Sequence, residues 1–314
     1  MKHYSLVLLL GLLLVSSCKK GDPTDPKSNT PQNTFVPDTR FTVLVDNLAS
    51  DNGDMGGMDI DPATGIIYFY QQRGNDIGFY IHAYNTNTQS YSTVFEYTDE
   101  NWKSNSQVAP RIRVHGDLLF IPSGFNSIKR IVVLKGLSGN QLTFDKLLYL
   151  TDCYDIAFTA DSTYFLTKSS GIISYDIASN GAYASYEFPD DYHLQTNASM
   201  VAVNNNGTYK LCMVSGSDNP QRLELRSLKN EFLKSVPTEH GGSHLITDSK
   251  SRIYYTENDQ VVRYSADLSQ KEIIKAMDNG GESSSNVYAL KEFPDHIQLF
   301  LKRGTSLYSM NIKN

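Results

Sequence analysis

Six times along this chain of 314 residues, an apolar-alternating run reaches a turn rich in Asp, Asn, Ser, Gly or Pro and is answered by a second apolar run. The turns begin at residues 61, 115, 159, 204, 248 and 294, so the steps are 54, 44, 45, 44 and 46. Short alternating runs bounded by turn formers read as strands rather than helices. A period near 45 with four strands in each unit is the mark of a propeller blade. Residues 154–188 show the unit complete: runs at 154–158, 163–167, 172–176 and 183–188, separated by TADS, KSSG and ASNG. Four strands joined by tight turns make an up-and-down antiparallel sheet.

The sixth unit stops after three strands, at 287–293, 297–301 and 306–311. An unmatched strand, FTVLV at 41–45, precedes the first unit. Placed on the outer edge of the last sheet, it completes a ring and removes exposed edges. The expected fold is therefore all-β, a six-bladed propeller of four-stranded blades over residues 41–314, closed by an N-terminal strand. A β-sandwich would not give six like units or a three-strand remainder with a matching orphan. The pattern resembles the six-bladed TolB-like and NHL-like β-propellers; that likeness rests on periodicity, so it bears on fold more than on activity.

The first 17 residues have the form of a signal peptide. Lys2 supplies a positive start, and residues 6–15 are apolar apart from Gly11. Ten residues cannot span a bilayer, which needs about 20. Val15-Ser16-Ser17-Cys18 resembles the lipobox of bacterial lipoproteins, which implies cleavage before Cys18 and acylation of Cys18. Residues 18–40 hold four prolines among polar residues and are expected to form an unfolded tether. A lipidated Cys on a polar leash resembles outer-membrane lipoproteins of the Bacteroidota. The resemblance implies a membrane anchor, with display at the cell surface or on the periplasmic face; the expected partner is an outer-membrane transporter or another envelope protein.

The net charge of −6 gives no basic face for nucleic acid. Cys153 and Cys212 show no metal spacing. The loops that lead into each blade gather on one face of a propeller, the default binding face. Here those lead-in loops hold eleven acidic residues and one Lys, Lys103. Asp and Asn are also simply good loop formers. Beneath that rim, Arg111, Asp155, His244 and Tyr288 stand at the starts of inner strands. Gln72, Arg73, Lys168 and Arg303 follow second strands. Together they would make a partly basic channel mouth suited to an anionic or polar small molecule or glycan. Trp102, the single Trp, lies in the longest lead-in loop and would either stack on a flat ligand or pin its own loop. His240 and His244 are four apart, but glycines between them make a loop and remove the helical metal-pair meaning.

No nucleophile motif is present, and no cofactor or metal is expected. Gluconolactonase and regucalcin-type propellers hold a divalent metal with Glu, Asn and Asp ligands. Asp155, Ser199 and Asn286 occupy comparable inner-strand starts, but no Glu does. The expected function is thus a lipid-anchored binding or interaction propeller of the cell envelope. The alternative is a metal-dependent hydrolase or lyase acting in the channel.

Overall fold

The computed structural model describes residues 36–38, 41–46, 48, 55–73, 78–99, 102, 111–122, 130–139, 141–150, 152–167, 171–177, 181–189, 192, 194, 198–215, 221–239, 244–257, 260–276, 286–303 and 305–314. The signal segment, Cys18, most of the tether and Lys168 lie outside them, as does most of the acidic lead-in rim.

Strand β1 (Thr42–Val45) comes first. Blade 1 is β2 (Met55–Asp61), β3 (Ile66–Gln72), β4 (Gly78–Asn85) and β5 (Ser90–Thr98). Blade 2 is β6 (Arg113–His115), β7 (Leu118–Pro122), β8 (Ile131–Lys135) and β9 (Thr143–Leu148). Blade 3 is β10 (Cys153–Phe158), β11 (Thr163–Thr167), β12 (Gly171–Asp176) and β13 (Gly181–Tyr186). Blade 4 is β14 (Met200–Asn205), β15 (Thr208–Ser215), β16 (Arg222–Arg226) and β17 (Phe232–Pro237). Blade 5 is β18 (Ile246–Thr247), β19 (Ile253–Glu257), β20 (Gln260–Tyr264) and β21 (Lys271–Ala276). Blade 6 is β22 (Asn286–Glu292), β23 (His296–Arg303) and β24 (Ser306–Lys313).

Five sheets run in chain order, and the sixth has the order β1-β24-β23-β22. The fold is therefore the six-bladed propeller expected, with the orphan strand closing the ring. Thr42 pairs with Ser309 and Val43 with Tyr308. The join extends past the strand, because Asp38 N–H donates to Asn311 O at 2.9 Å and Leu48 N–H to Thr305 O at 2.6 Å.

The core is six cores. Each apolar cluster is drawn from two adjacent blades, one cluster per interface. Strand β3 shows how the sequence achieves this. Ile66, Tyr68 and Tyr70 pack toward blade 2, whereas Ile67 and Phe69 pack toward blade 6. Period-2 alternation sends successive side chains to opposite faces, and both faces are covered, so the whole strand is buried. The outer strands carry mixed, partly exposed sequences such as β5, SYSTVFEYT. At Gly171, where β12 starts, φ is +73°, and a Cβ would collide with the Tyr186 carbonyl, which explains Gly at the end of KSSG.

Strand β18 is only two residues long. Leu245 N–H donates to Ser199 Oγ at 3.0 Å, and Leu245 O accepts from Arg113 Nη2 at 3.2 Å. Both backbone groups are spent on other blades, the N–H on blade 4 and the carbonyl on blade 2 across the channel. Cys153 and Cys212 are buried free thiols. Among the described residues no helix is long and apolar enough to cross a membrane.

Candidate functional site

Inner strands run from the lead-in loops toward the opposite, turn-side face, so a residue early in each strand sits near the lead-in end of the channel. At that end blades 2 to 5 meet in a buried polar cluster. Arg113 on β6 grips Asp155 on β10 with a fork, Nε to Oδ1 at 2.8 Å and Nη2 to Oδ2 at 2.7 Å. Asp155 Oδ2 also accepts from Ser199 Oγ at 2.6 Å and Met200 N–H at 2.9 Å, both of blade 4. Its Oδ1 accepts from Ile156 N–H at 2.8 Å. Arg113 Nη1 donates to His244 Nε2 at 3.4 Å. Arg111 donates through Nη1 to the Ala198 carbonyl. The Tyr288 ring, half-buried, lies 4.8 Å from the His244 ring.

Asp155 is 0% exposed and Arg113 6%. Burial alone would raise the Asp155 pKa, but the charge and hydrogen bonds of Arg113, with the Arg111 charge adding, bring it down to about 2. Burial and the Arg113 charge push the His244 pKa well below its ordinary value, against the pull of Asp155. His244 is therefore neutral. Because arginine can only donate, Nε2 is the bare nitrogen and Nδ1 carries the proton. Among the described residues Nδ1 has no well-formed acceptor, although the Tyr288 backbone lies near enough to favour its proton.

Deeper toward the turn side, Asp59 on β2 repeats part of this pattern without the fork. Its Oδ1 accepts from Ile60 N–H at 2.9 Å and its Oδ2 from Val114 N–H of blade 2 at 2.8 Å. Burial raises its pKa to about 6, opposed by Arg113 and the two backbone donors and reinforced by the Asp155 charge. Asp59 borders a cavity of about 360 Å³ lined by all six inner strands. The polar cluster thus forms a plug at one end of the channel, and the cavity occupies the other.

The sequence-derived candidates separate into three groups. Arg111, Asp155, His244 and Tyr288 come together in and beside the plug. Gln72, Arg73 and Trp102 do not line it. Trp102 is 1% exposed, packs 5.0 Å from Phe79, and donates Nε1–H to Tyr70 Oη at 3.3 Å. Tyr70 in turn donates to Gln72 Oε1 at 2.6 Å. Trp102 pins its own loop into the blade 1–blade 2 core, the second of the two roles expected of it, and is not placed to stack on a ligand at the rim. Arg73 pairs with Glu96 and Thr98 on the outermost strand of its blade and covers Tyr80, so its charge is turned away from the channel mouth. Arg303 belongs to β23, but its side chain, like Lys168 and Cys18, lies outside what is described.

The expectations omitted Arg113 and Asp59 and left Ser199 as a side comparison. The signal for the first two was a charged residue flanked by apolar ones within an inner strand, Met58-Asp59-Ile60 and Ile112-Arg113-Val114.

A divalent ion does not fit at Asp155. A guanidinium already neutralises that carboxylate, and Ser199 and two backbone N–H groups take further lone pairs. Among the described residues no group of three or more His, Cys, Asp or Glu side chains converges.

No protein-family model and no curated protein sequence matches the chain. Solved structures do match in shape. One, from the crystal structure of the mitotic checkpoint complex, aligns over 93% of this chain and 86% of that chain, with 10% identity and a TM-score of 0.47.

Proposed function

We propose that this protein is a lipid-anchored propeller of the cell envelope that binds a ligand or partner through its lead-in face and does no chemistry of its own. The observation that carries the binding reading is the saturation of Asp155. The carboxylate best placed for channel chemistry is forked by Arg113 and held by three further donors. A group so engaged, with its pKa down near 2, is a poor general base and a poor metal ligand near neutral pH. The neutral His244 beside it lends its Nε2 to the same arginine. The plug stiffens the lead-in end of the ring and leaves the loops above it as the variable surface, the usual division between scaffold and recognition.

The anchor reading rests on the apolar run 6–15 and the Ser-Ser-Cys that ends it. An outer-membrane transporter, or another envelope protein, is the proposed partner, with a small molecule or glycan as the captured ligand.

Photo-crosslinking in cells tests the face. A crosslinker at exposed Glu239, in a lead-in loop, is expected to capture an envelope protein, and one at exposed Asn206, in a turn of the opposite face, is not. The reverse pattern would overturn the assignment. Metal analysis of the purified mature protein tests the absence of chemistry. One stoichiometric divalent ion would revive the hydrolase or lyase alternative. Cys18→Ser is expected to release the protein from the membrane fraction.

A further inference from the structure

We infer that the turn-side cavity is a separate binding site, for a small molecule carrying a primary ammonium on a compact apolar body, with Asp59 as the anion that receives it. The cavity, about 360 Å³, is at the small end of ligand pockets. Its walls are mainly aliphatic, with Ile156, Ala157, Val201, Ala202, Ile246 and Ala289 contributed by four blades. An apolar wall with a few placed polar groups, one of them the focus for charge, is how such pockets fix both affinity and orientation.

Asp59 supplies that focus. Each of its oxygens accepts one backbone N–H. A carboxylate offers about four lone-pair positions, so roughly two remain for a guest. The other charges at the cavity already have partners. Arg113 shares the wall, but its donors go to Asp155, His244 and the Leu245 carbonyl. At the rim, Lys291 Nζ reaches Thr86 Oγ1 and Asn87 Oδ1, each at 3.2 Å. Glu292 accepts from Ser249 N–H and Oγ–H, each at 2.6 Å. These two rim charges are opposite in sign, and behind the wall Arg113 is paired with Asp155. Asp59 is thus the buried anion of the site that keeps acceptor positions for a guest, and an ammonium complements it.

Protonation sharpens the assignment. Burial raises Asp59 to about 6, against Arg113 and the two N–H donors and with Asp155 assisting. An ammonium guest favours the ionised form, so it binds better above that pH than below it.

The test uses the full mature protein and matched fragments: cyclohexylammonium and benzylammonium, with cyclohexanecarboxylate and cyclohexanemethanol as controls, followed by ligand-observed NMR. At least one amine is expected to saturate the protein below about 10 mM at pH 7.5. Its affinity is expected to fall at least tenfold at pH 4.5 and at least tenfold in Asp59→Asn. Ala202→Phe, which puts a bulky ring at a cavity-lining position away from the Asp59 hydrogen bonds, is expected to abolish binding with a retained unfolding transition. That variant and the pH series stand in if Asp59→Asn fails to fold. Binding of the carboxylate or the alcohol as tight as the amine would overturn the inference. So would undiminished amine binding by Asp59→Asn or Ala202→Phe, or the failure of both amines to bind.

Discussion

Asp59 and Asp155 stand two blades apart on inner strands and are held alike: each takes the N–H of its own successor and an N–H from the next blade. Their acidities diverge by some four pH units, about 6 against about 2. The more deeply buried of the two is the stronger acid, opposite to what desolvation alone would give. The difference is the Arg113 fork, which reaches Asp155 and only sits near Asp59. Within one channel a single guanidinium makes one carboxylate a structural anion and leaves the other responsive to its surroundings.

The largest expected effect tests the structural anion. Asp155→Asn leaves Arg113 buried without its counter-charge and is expected to cost about 3–5 kcal/mol of unfolding free energy in urea. A loss below about 1 kcal/mol would break the comparison. The pair Arg113→Met with Asp155→Leu is expected to be more stable than either single variant, since apolar replacement of both partners removes the desolvation cost.

Next comes pH. The folded-state pKa of Asp59 lies above its ordinary 3.8, so between about pH 4 and 6 the folded chain keeps a proton that the unfolded chain releases. Its contribution to stability therefore falls as pH rises through that window, by about 3 kcal/mol at about 1.4 kcal/mol per unit. Asp155 acts with the opposite sign and elsewhere: its contribution is present above pH 3.8 and is lost as pH falls toward 2. His244, held neutral, adds an upward slope below its ordinary 6.5. The difference between wild type and Asp59→Asn, measured by denaturation across pH 4 to 7, isolates Asp59. A flat difference would refute its raised pKa.

Arg113→Lys keeps the charge and loses the fork, and is expected to cost about 1–3 kcal/mol, read as a lowered thermal midpoint. Smallest of all, Asp59→Asn at pH 7.5 is expected to cost about 1 kcal/mol or less, since the lost hydrogen bond is offset by removal of a disfavoured charge. Equal losses for Asn at 59 and at 155 would mean that the two aspartates do not differ as described.

The ring was legible because turns such as Asp61–Gly65 and Asn204–Gly207 recur at nearly constant spacing, and because FTVLV had no partner of its own. The plug was half legible. Arg111, Asp155, His244 and Tyr288 could be named from their places at strand starts. Arg113 carried a local signal, a charge between Ile112 and Val114, but its role comes from Asp155, Ser199 and Leu245 in three other blades, a convergence that the local pattern does not show. Trp102 shows the complementary limit: a lone aromatic in a long loop is equally good at gripping a guest and at folding back, and only the gap beside Phe79 and Tyr97 decides.

The pairing of β1 with β24 also sets a schedule. The first strand of the ring to be made, Thr42–Val45, hydrogen-bonds to the last, Ser306–Lys313. During synthesis the early blades can form their own sheets from local contacts, but the join waits until the C-terminus is free. Until then Val43 and its neighbours offer an unpaired edge to any passing strand. A chain that stalls or is truncated near its end is thus expected to leave both edges open, where linkage with a second incomplete chain competes with closure. All six interfaces are complete only once β24 is in place, and so the ring closes in one late step.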